Sequence, residues 1–225
     1  MAVAICVASA PNAAQAAPAE NLQAQVKSVD IAGVKDTPAN KKKAIQISEG
    51  LLGSVDPGAY FAGLKETDKA LFTAYSMPAD TKTEVEIAPL DADALASKKA
   101  GVVPDGEFST MAVGCWGNYA YREVTNAFGG RLYGMRVDGT WCSNGLTVTS
   151  AKRTNSVGDT SWVGWSHQGL INSQTGIVTN QARMWVQHRF VYGSNGWVVQ
   201  TSDICLRLRG YFDARAYQDF ACSLY

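Results

Sequence analysis

The chain has 225 residues, 46% of them apolar and 18% charged, a globular composition that excludes disorder throughout. Its formal charge is zero, which excludes a uniformly basic nucleic-acid binder and a uniformly acidic solvating chain. The zero is a cancellation: residues 1–110 hold 10 Lys, no Arg and 14 acidic residues, whereas the remainder holds 1 Lys, 9 Arg and 6 acidic residues, −4 beside +4.

Residues 1–16 read as a secretory signal peptide. Ala2 to Ala10 is an unbroken run of small and apolar residues, which Pro11 and Asn12 interrupt. Ala14 and Ala16 then supply the small side chains that signal peptidase reads, placing cleavage after Ala16. The basic start typical of such signals is missing, and the other reading is an Ala-rich flexible N-terminus. The run is too short to span a bilayer as a helix, so no membrane span is expected. Cys6 falls within this segment, and four cysteines follow it: Cys115, Cys142, Cys205 and Cys222. An even set fits two disulfides in an oxidising compartment, and hence a secreted protein. Of the three connectivities, local pairing is expected, Cys115 with Cys142 and Cys205 with Cys222. No pair has the close C-x₂-C spacing of a zinc site, so no metal and no cofactor is expected.

Residues 17–110 form the acidic segment. Ala17 to Asp36 lacks a strong period and reads as extended or disordered. Thr37-Pro38 has the form of an N-cap followed by Pro at the first helical position. Ala44, Ile47 and Leu51 share one face of the helix that follows, and Gly53 stops it. Asp56-Pro57 repeats the start signal for a helix carrying Tyr60, Phe61 and Leu64. Thr67 is the expected cap of a third, carrying Ala70, Leu71, Ala74 and Tyr75 and ended by Met77-Pro78. Lys82 to Ile87 alternates as a strand, and Asp91 to Lys99 is a short polar helix candidate closed by Gly101. Helices this short and thinly apolar need a partner surface. The segment is therefore a small helical subdomain, an assembly arm or a pro-segment. The Lys41-Lys42-Lys43 run is a solvated helix face.

Residues 111–225 hold all six Trp and seven of the nine Tyr. The period changes from that of helices to that of strands. Tyr119, Tyr121 and Glu123 alternate with Ala120, Arg122 and Val124. Tyr133, Met135 and Val137 share a side of the next strand. Asp138-Gly139 and Asn144-Gly145 read as tight turns. Leu146, Val148 and Ser150 follow as a third strand, and Ser161 to Trp165 as a fourth. Arg183 to Tyr192 is the clearest strand, with Met184, Val186, His188, Phe190 and Tyr192 on its apolar side. Gly193 to Gly196 turns the chain, and Trp197 to Leu208 returns with Val198, Ile204, Leu206 and Leu208 as core candidates. Short strands with Gly-rich turns imply an antiparallel sandwich or barrel. The fold class is thus α+β: short N-terminal helices, then a disulfide-stabilised antiparallel β-domain. No βαβ rhythm supports a doubly wound nucleotide fold.

No catalytic set emerges. His167 and His188 are the only histidines. Ser166 neighbours His167, and neighbours in a strand point to opposite faces. Gln168 stands where a G-x-S-x-G elbow needs its last glycine. The carboxylates offer no selected pair for glycoside hydrolysis. His188, on the apolar side of its strand, reads as a hydrogen-bonded core histidine. The stronger signal is compositional, because Trp, Tyr and Arg combine large contact area with a polar handle. Arg183, Trp185 and Arg189 share the polar side of one strand, and Arg207 and Arg209 that of the next. Paired, these strands form an Arg/Trp face, and Trp162 and Trp165 are the other binding candidates. Its partner would be a glycan, an anionic surface, a co-secreted protein or the acidic segment itself. The opposing reading makes the tryptophans core and the arginines solubilising surface. Single-stranded nucleic acid would use the same chemistry, but secretion argues against it.

The stretch ALFTAYSMPADTKTEVEIAPL (Ala70 to Leu90), Cys115-Trp116 and Trp141-Cys142-Ser143-Asn144-Gly145 together resemble the uncharacterised secreted proteins common in high-GC Gram-positive bacteria. The resemblance implies an exported bacterial β-domain protein, with no catalytic residues to carry over. Some exported proteins of this kind are components of toxin or adhesive assemblies. The expected function is a non-enzymatic binding module. The alternatives are an assembly subunit joined by strand addition, and a hydrolase or toxin made as a pro-form cleaved near Gly101 to Asp105.

Overall fold

In a computed structural model, the structure describes residues 16–89, 113–194 and 196–225. The proposed signal lies outside these residues, except that its last residue, Ala16, begins the first helix. The helix expected over Asp91 to Lys99 and the cleavage region Gly101 to Asp105 also lie outside them.

Among the described residues, four short helices come first: α1 (Ala16–Lys27), α2 (Pro38–Gly53), α3 (Pro57–Ala62) and α4 (Glu66–Ser76). The first corrects the expectation of an extended or disordered stretch. Leu22 and Val26, one helical turn apart, are both buried, and that shared face supplies what a weak local period does not. At α2 the Thr37 side chain accepts from Asn40 N, and at α3 Asp56 accepts from Ala59 N, as the two X-Pro signals predict. Thr67 is not a cap: α4 begins one residue earlier, behind Lys65, without a side-chain cap. Ala44, Ile47, Leu51, Phe61, Ala70, Leu71, Ala74 and Tyr75 are all buried.

Eight antiparallel strands follow among the described residues, in two four-stranded sheets. The first sheet runs in the order β1 (Asp80–Pro89), β2 (Val113–Thr125), β3 (Arg131–Asn144), β4 (Val148–Thr160). The second runs β5 (Trp165–Val178), β6 (Gln181–Ser194), β7 (Trp197–Tyr211), β8 (Ala216–Asp219). One apolar cluster contains residues from the helices and from both sheets. Across it Tyr133 of β3 stacks on Phe190 of β6 with centroids 4.5 Å apart. Trp141 of β3 donates its indole N–H to Tyr211 O of β7 at 2.9 Å. A side chain on Gly210 would enter the Trp141 ring, which explains a glycine in mid-strand. The arrangement is consistent with the expected sandwich.

Three strand readings need correction. Asp138-Gly139 is not a turn: it lies inside β3, at a register shift against β4. The extra residue of that bulge is Thr154 of β4, between the partners of Asp138 and Gly139. Ser161 to Trp165 is not a strand: Trp165 opens β5, and the corner before it uses Gly164 at φ +92°. Val198 is exposed and Val199 buried instead. Tyr192 pairs with Gln200 and Gly193 with Val198, so Val199 is an extra residue that exchanges the two faces. Beyond it Ile204, Leu206 and Leu208 are buried as expected. Asn144-Gly145 does link β3 to β4.

The helices do not form a body of their own. The terminal carbonyls of α4 have lost their helical donors, and the back half supplies replacements. Ala127 N donates to Ala74 O, Asn126 Nδ2 to Tyr75 O, and Trp165 Nε1 to Ser76 O. β1, from the acidic segment, pairs with β2 over its ten residues. The composition boundary near residue 110 therefore does not separate two cores. The ion pairs seen among the described residues each join partners from the same half.

Candidate functional site

Both local disulfides form: Cys115–Cys142 across β2 and β3, and Cys205–Cys222 from β7 to the C-terminal tail. The second decides the fate of the expected Arg/Trp face. β6 and β7 do pair, with Arg183 opposite Arg209, Trp185 opposite Arg207, and Arg189 opposite Asp203. Yet the tail crosses the same face. Arg207 Nε and Nη2 grip both oxygens of Asp219 at 2.9 Å, and its Nη1 donates to Ser223 O and Tyr225 O. Arg209 also reaches Asp219, and Arg183 donates to Leu224 O. Leu224 itself is buried, with its side chain against Gly176 of β5. Trp185 is 4% exposed, and its indole N–H points at Gln174. Of the five residues expected on this face, only Arg189 is exposed, and it is held in a bidentate pair with Asp203 at 2.7 Å.

Trp162 and Trp165 are buried as well. Trp162 Nε1 donates to Ser76 Oγ, beside the Trp165 bond to Ser76 O, so both indoles anchor the end of α4. The sequence reading of these two as binding residues is corrected to a packing role. Their spacing gave no hint that a helix end would need them.

Among the described residues, no segment covers an aromatic and charged face on the outside of the first sheet. Tyr119, Tyr121 and Glu123 of β2 point outward with Arg136 and Asp138 of β3, because β2 and β3 bury the alternate residues. The Arg136 guanidinium lies 4.0 Å from the Tyr119 ring centroid and donates to Asp138 at 2.6 Å. Tyr119 donates to Glu84 of β1 and Tyr121 to Glu123, both at 3.2 Å. Arg131 binds Glu123 and Asp159. Burial raises the Tyr121 hydroxyl pKa, with Arg131 opposing, so the phenol stays a neutral donor. Gly134 keeps the space between Arg131 and Tyr121 clear. Lys82, Arg131, Arg136 and, opposite Thr140, Lys152 stand among four carboxylates, Glu84, Glu123, Asp138 and Asp159, so the described charges of this face balance. The alternation of Tyr119 and Tyr121 was legible in the sequence. Their pairing with Arg136 was not, because it depends on the β2–β3 register.

A third cluster joins the two sheets. Ser156 Oγ of β4 is 2.6 Å from His188 Nε2 of β6, and His188 Nδ1 is 2.7 Å from His167 Nε2 of β5. Ser166, as strand geometry predicts, is directed elsewhere and donates to Val191 O. Among the described residues no group of His, Cys, Asp and Glu could hold a metal ion, and no helix is long and apolar enough to cross a membrane.

Comparison of the chain with protein-family models, curated proteins and solved structures finds no match.

Proposed function

We propose that the protein is a secreted, disulfide-stabilised β-sandwich that acts by recognition, and that its ligand is a neutral glycan bound on the outer face of the first sheet. The observation that carries this reading is the Tyr119–Arg136–Asp138 arrangement on a sheet face that no described segment covers. A sugar ring has two chemical aspects, a C–H face and a rim of hydroxyls. Half-exposed tyrosines offer rigid, amphipathic contact area to the first at low entropic cost. The carboxylates and guanidinium groups held beside them offer fixed acceptors and donors to the second. With its described cations matched by four carboxylates, the face holds no surplus of positive charge for an anionic polymer. Two disulfides fit an oxidising, extracellular setting.

Isothermal titration of the intact protein with neutral oligosaccharides and with heparin tests this. Binding to a neutral glycan that weakens at least tenfold, about 1.4 kcal/mol, in Tyr119→Ala and Arg136→Ala at unchanged thermal stability supports it. Binding that survives both substitutions, a preference for heparin, or no glycan binding at all overturns it.

A further inference from the structure

The Ser156–His188–His167 chain stands at the seam where β4, the last strand of the first sheet, meets β5, the first of the second. It is one of the places where polar side chains tie one sheet to the other. His188 is 1% exposed, and its two ring nitrogens are both occupied, one by each sheet. The rings of His167 and His188 stack with centroids 4.9 Å apart, and His167 also lies 5.0 Å from Phe190. Gly158 of β4 makes the close approach possible, since a side chain there would collide with the His167 ring.

The groups around the pair are few. β4 brings Ser156, Asp159 and Arg153, β5 brings His167 and Leu170, β6 brings Phe190, and β7 presents Ile204 opposite His188. Asp159 favours a charge on His167, but it is already paired with Arg131. Arg153 opposes a charge on His188. The contact therefore suits two neutral rings and has no carboxylate for His188. Two imidazolium rings would lose the hydrogen bond that joins them, because each nitrogen would then be a donor.

We propose that the pair is an acid-operated latch: closed while both rings are neutral, and opening the β4–β5 seam once they take up protons. Burial foremost, then the neighbouring His167 and Arg153, hold His188 down to about 4, and burial lowers His167 despite Asp159. An unfolded histidine binds its proton near 6.5. The open state therefore binds more protons than the closed one between about pH 6.5 and pH 4, and the latch weakens as pH falls through that window. The same atoms are ordered as a nucleophile–base relay, but a base held so low is a poor proton acceptor at neutral pH.

The test uses the intact protein. With two histidines in the chain, its proton NMR spectrum has two imidazole C2 signals to follow through a titration. Amide hydrogen exchange, corrected for the intrinsic effect of pH, is measured at pH 7.5 and pH 4.5. The latch predicts that one imidazole titrates well below 6. It also predicts that exchange rises at least tenfold in residues 150–160 and 165–172 while the β2–β3 pair stays protected. His188→Gln, which keeps a neutral hydrogen-bonding side chain, abolishes the step. His167→Gln, at a half-buried position, reduces it and serves if the first variant does not fold. Two histidines titrating near 6.5, a seam equally protected at both pH values, a uniform rise across all strands, or an unchanged step in His167→Gln overturns the latch.

Discussion

The outer faces of the two sheets are built from the same residue types, arginines beside aromatic rings, yet the C-terminal tail covers one and no described segment covers the other. On the second sheet, Arg183, Arg207 and Arg209 turn to the C-terminal tail, and Trp185 is sealed from water. On the first, Arg136 stacks on Tyr119 with its side chain 44% exposed. The difference teaches that an Arg/aromatic stripe has two uses. A guanidinium carries several donors in a fixed fork, so it serves backbone carbonyls of its own chain as well as it serves a ligand. What separates the uses is whether a segment with free carbonyls is tethered nearby. Cys205–Cys222 provides that tether on the second sheet, whereas Cys115–Cys142 joins two strands already paired.

The largest expected effect comes from cutting the tether. The bridged cysteines are 17 residues apart, and replacing them with serine in Cys205→Ser/Cys222→Ser should cost about 3 kcal/mol by loop entropy. A lower denaturation midpoint with a red-shifted tryptophan emission, from a wetted Trp185, is the outcome to look for. Should stability fall without that shift, the tail is not the cover of Trp185.

Arg207→Ala leaves the Asp219 carboxylate without its bidentate partner. Because Asp219 is partly solvated, the expected loss is about 2–3 kcal/mol rather than the larger value of a fully buried pair. Chemical denaturation of both single variants and the double with Asp219→Asn separates the pair's own contribution from the cost of an orphaned charge.

Acid sharpens the comparison differently. Burial pushes the Asp219 carboxyl up, but its bonds to Arg207 and the Ala221 N–H, with the charges of Arg207 and Arg209, outweigh this and hold it below the usual range. Its folded pKa is depressed, so its stabilisation is present above about pH 3.9 and is lost as pH falls through the lower folded value. Limited proteolysis should find the tail seated at pH 5, where the histidine seam is already weakening, and released only at a pH below the ordinary carboxylate value of about 3.9. Simultaneous release of both would erase the distinction between the two devices.

Trp162→Phe removes one buried donor to Ser76 and leaves most of the apolar contact, for an expected cost of about 1 kcal/mol. The smallest stability effect belongs to Arg136→Ala on the open face, within about 0.5 kcal/mol. The same substitution is the one expected to remove glycan binding. A large loss of stability there would move the open face into the same class as the covered one.

Much of the local architecture was legible in the residues. Thr37 and Asp56 cap their helices because a side-chain oxygen two or three residues before a free N–H needs no distant partner. The even side of β6 is buried from Ala182 to Tyr192 because strand geometry sends successive side chains to opposite faces, and Trp185 on the other side is buried only by what crosses it. Helix α1 was missed because its stability comes from the sheet beneath Leu22 and Val26, not from its own propensities.

The sequence by itself determined the caps at Thr37 and Asp56, the strand periods and the Asn144-Gly145 turn, all interactions between near neighbours along the chain. The tertiary structure alone decided that Val199 exchanges the faces of β7 and that Trp162 and Trp165 close a helix end. It alone decided that the tail roofs one arginine face and that Ser156, His167 and His188 meet at the seam. The physical reason is common to these. A side chain's period says which way it points, but only the path of a distant segment says whether water, backbone or another ring lies there.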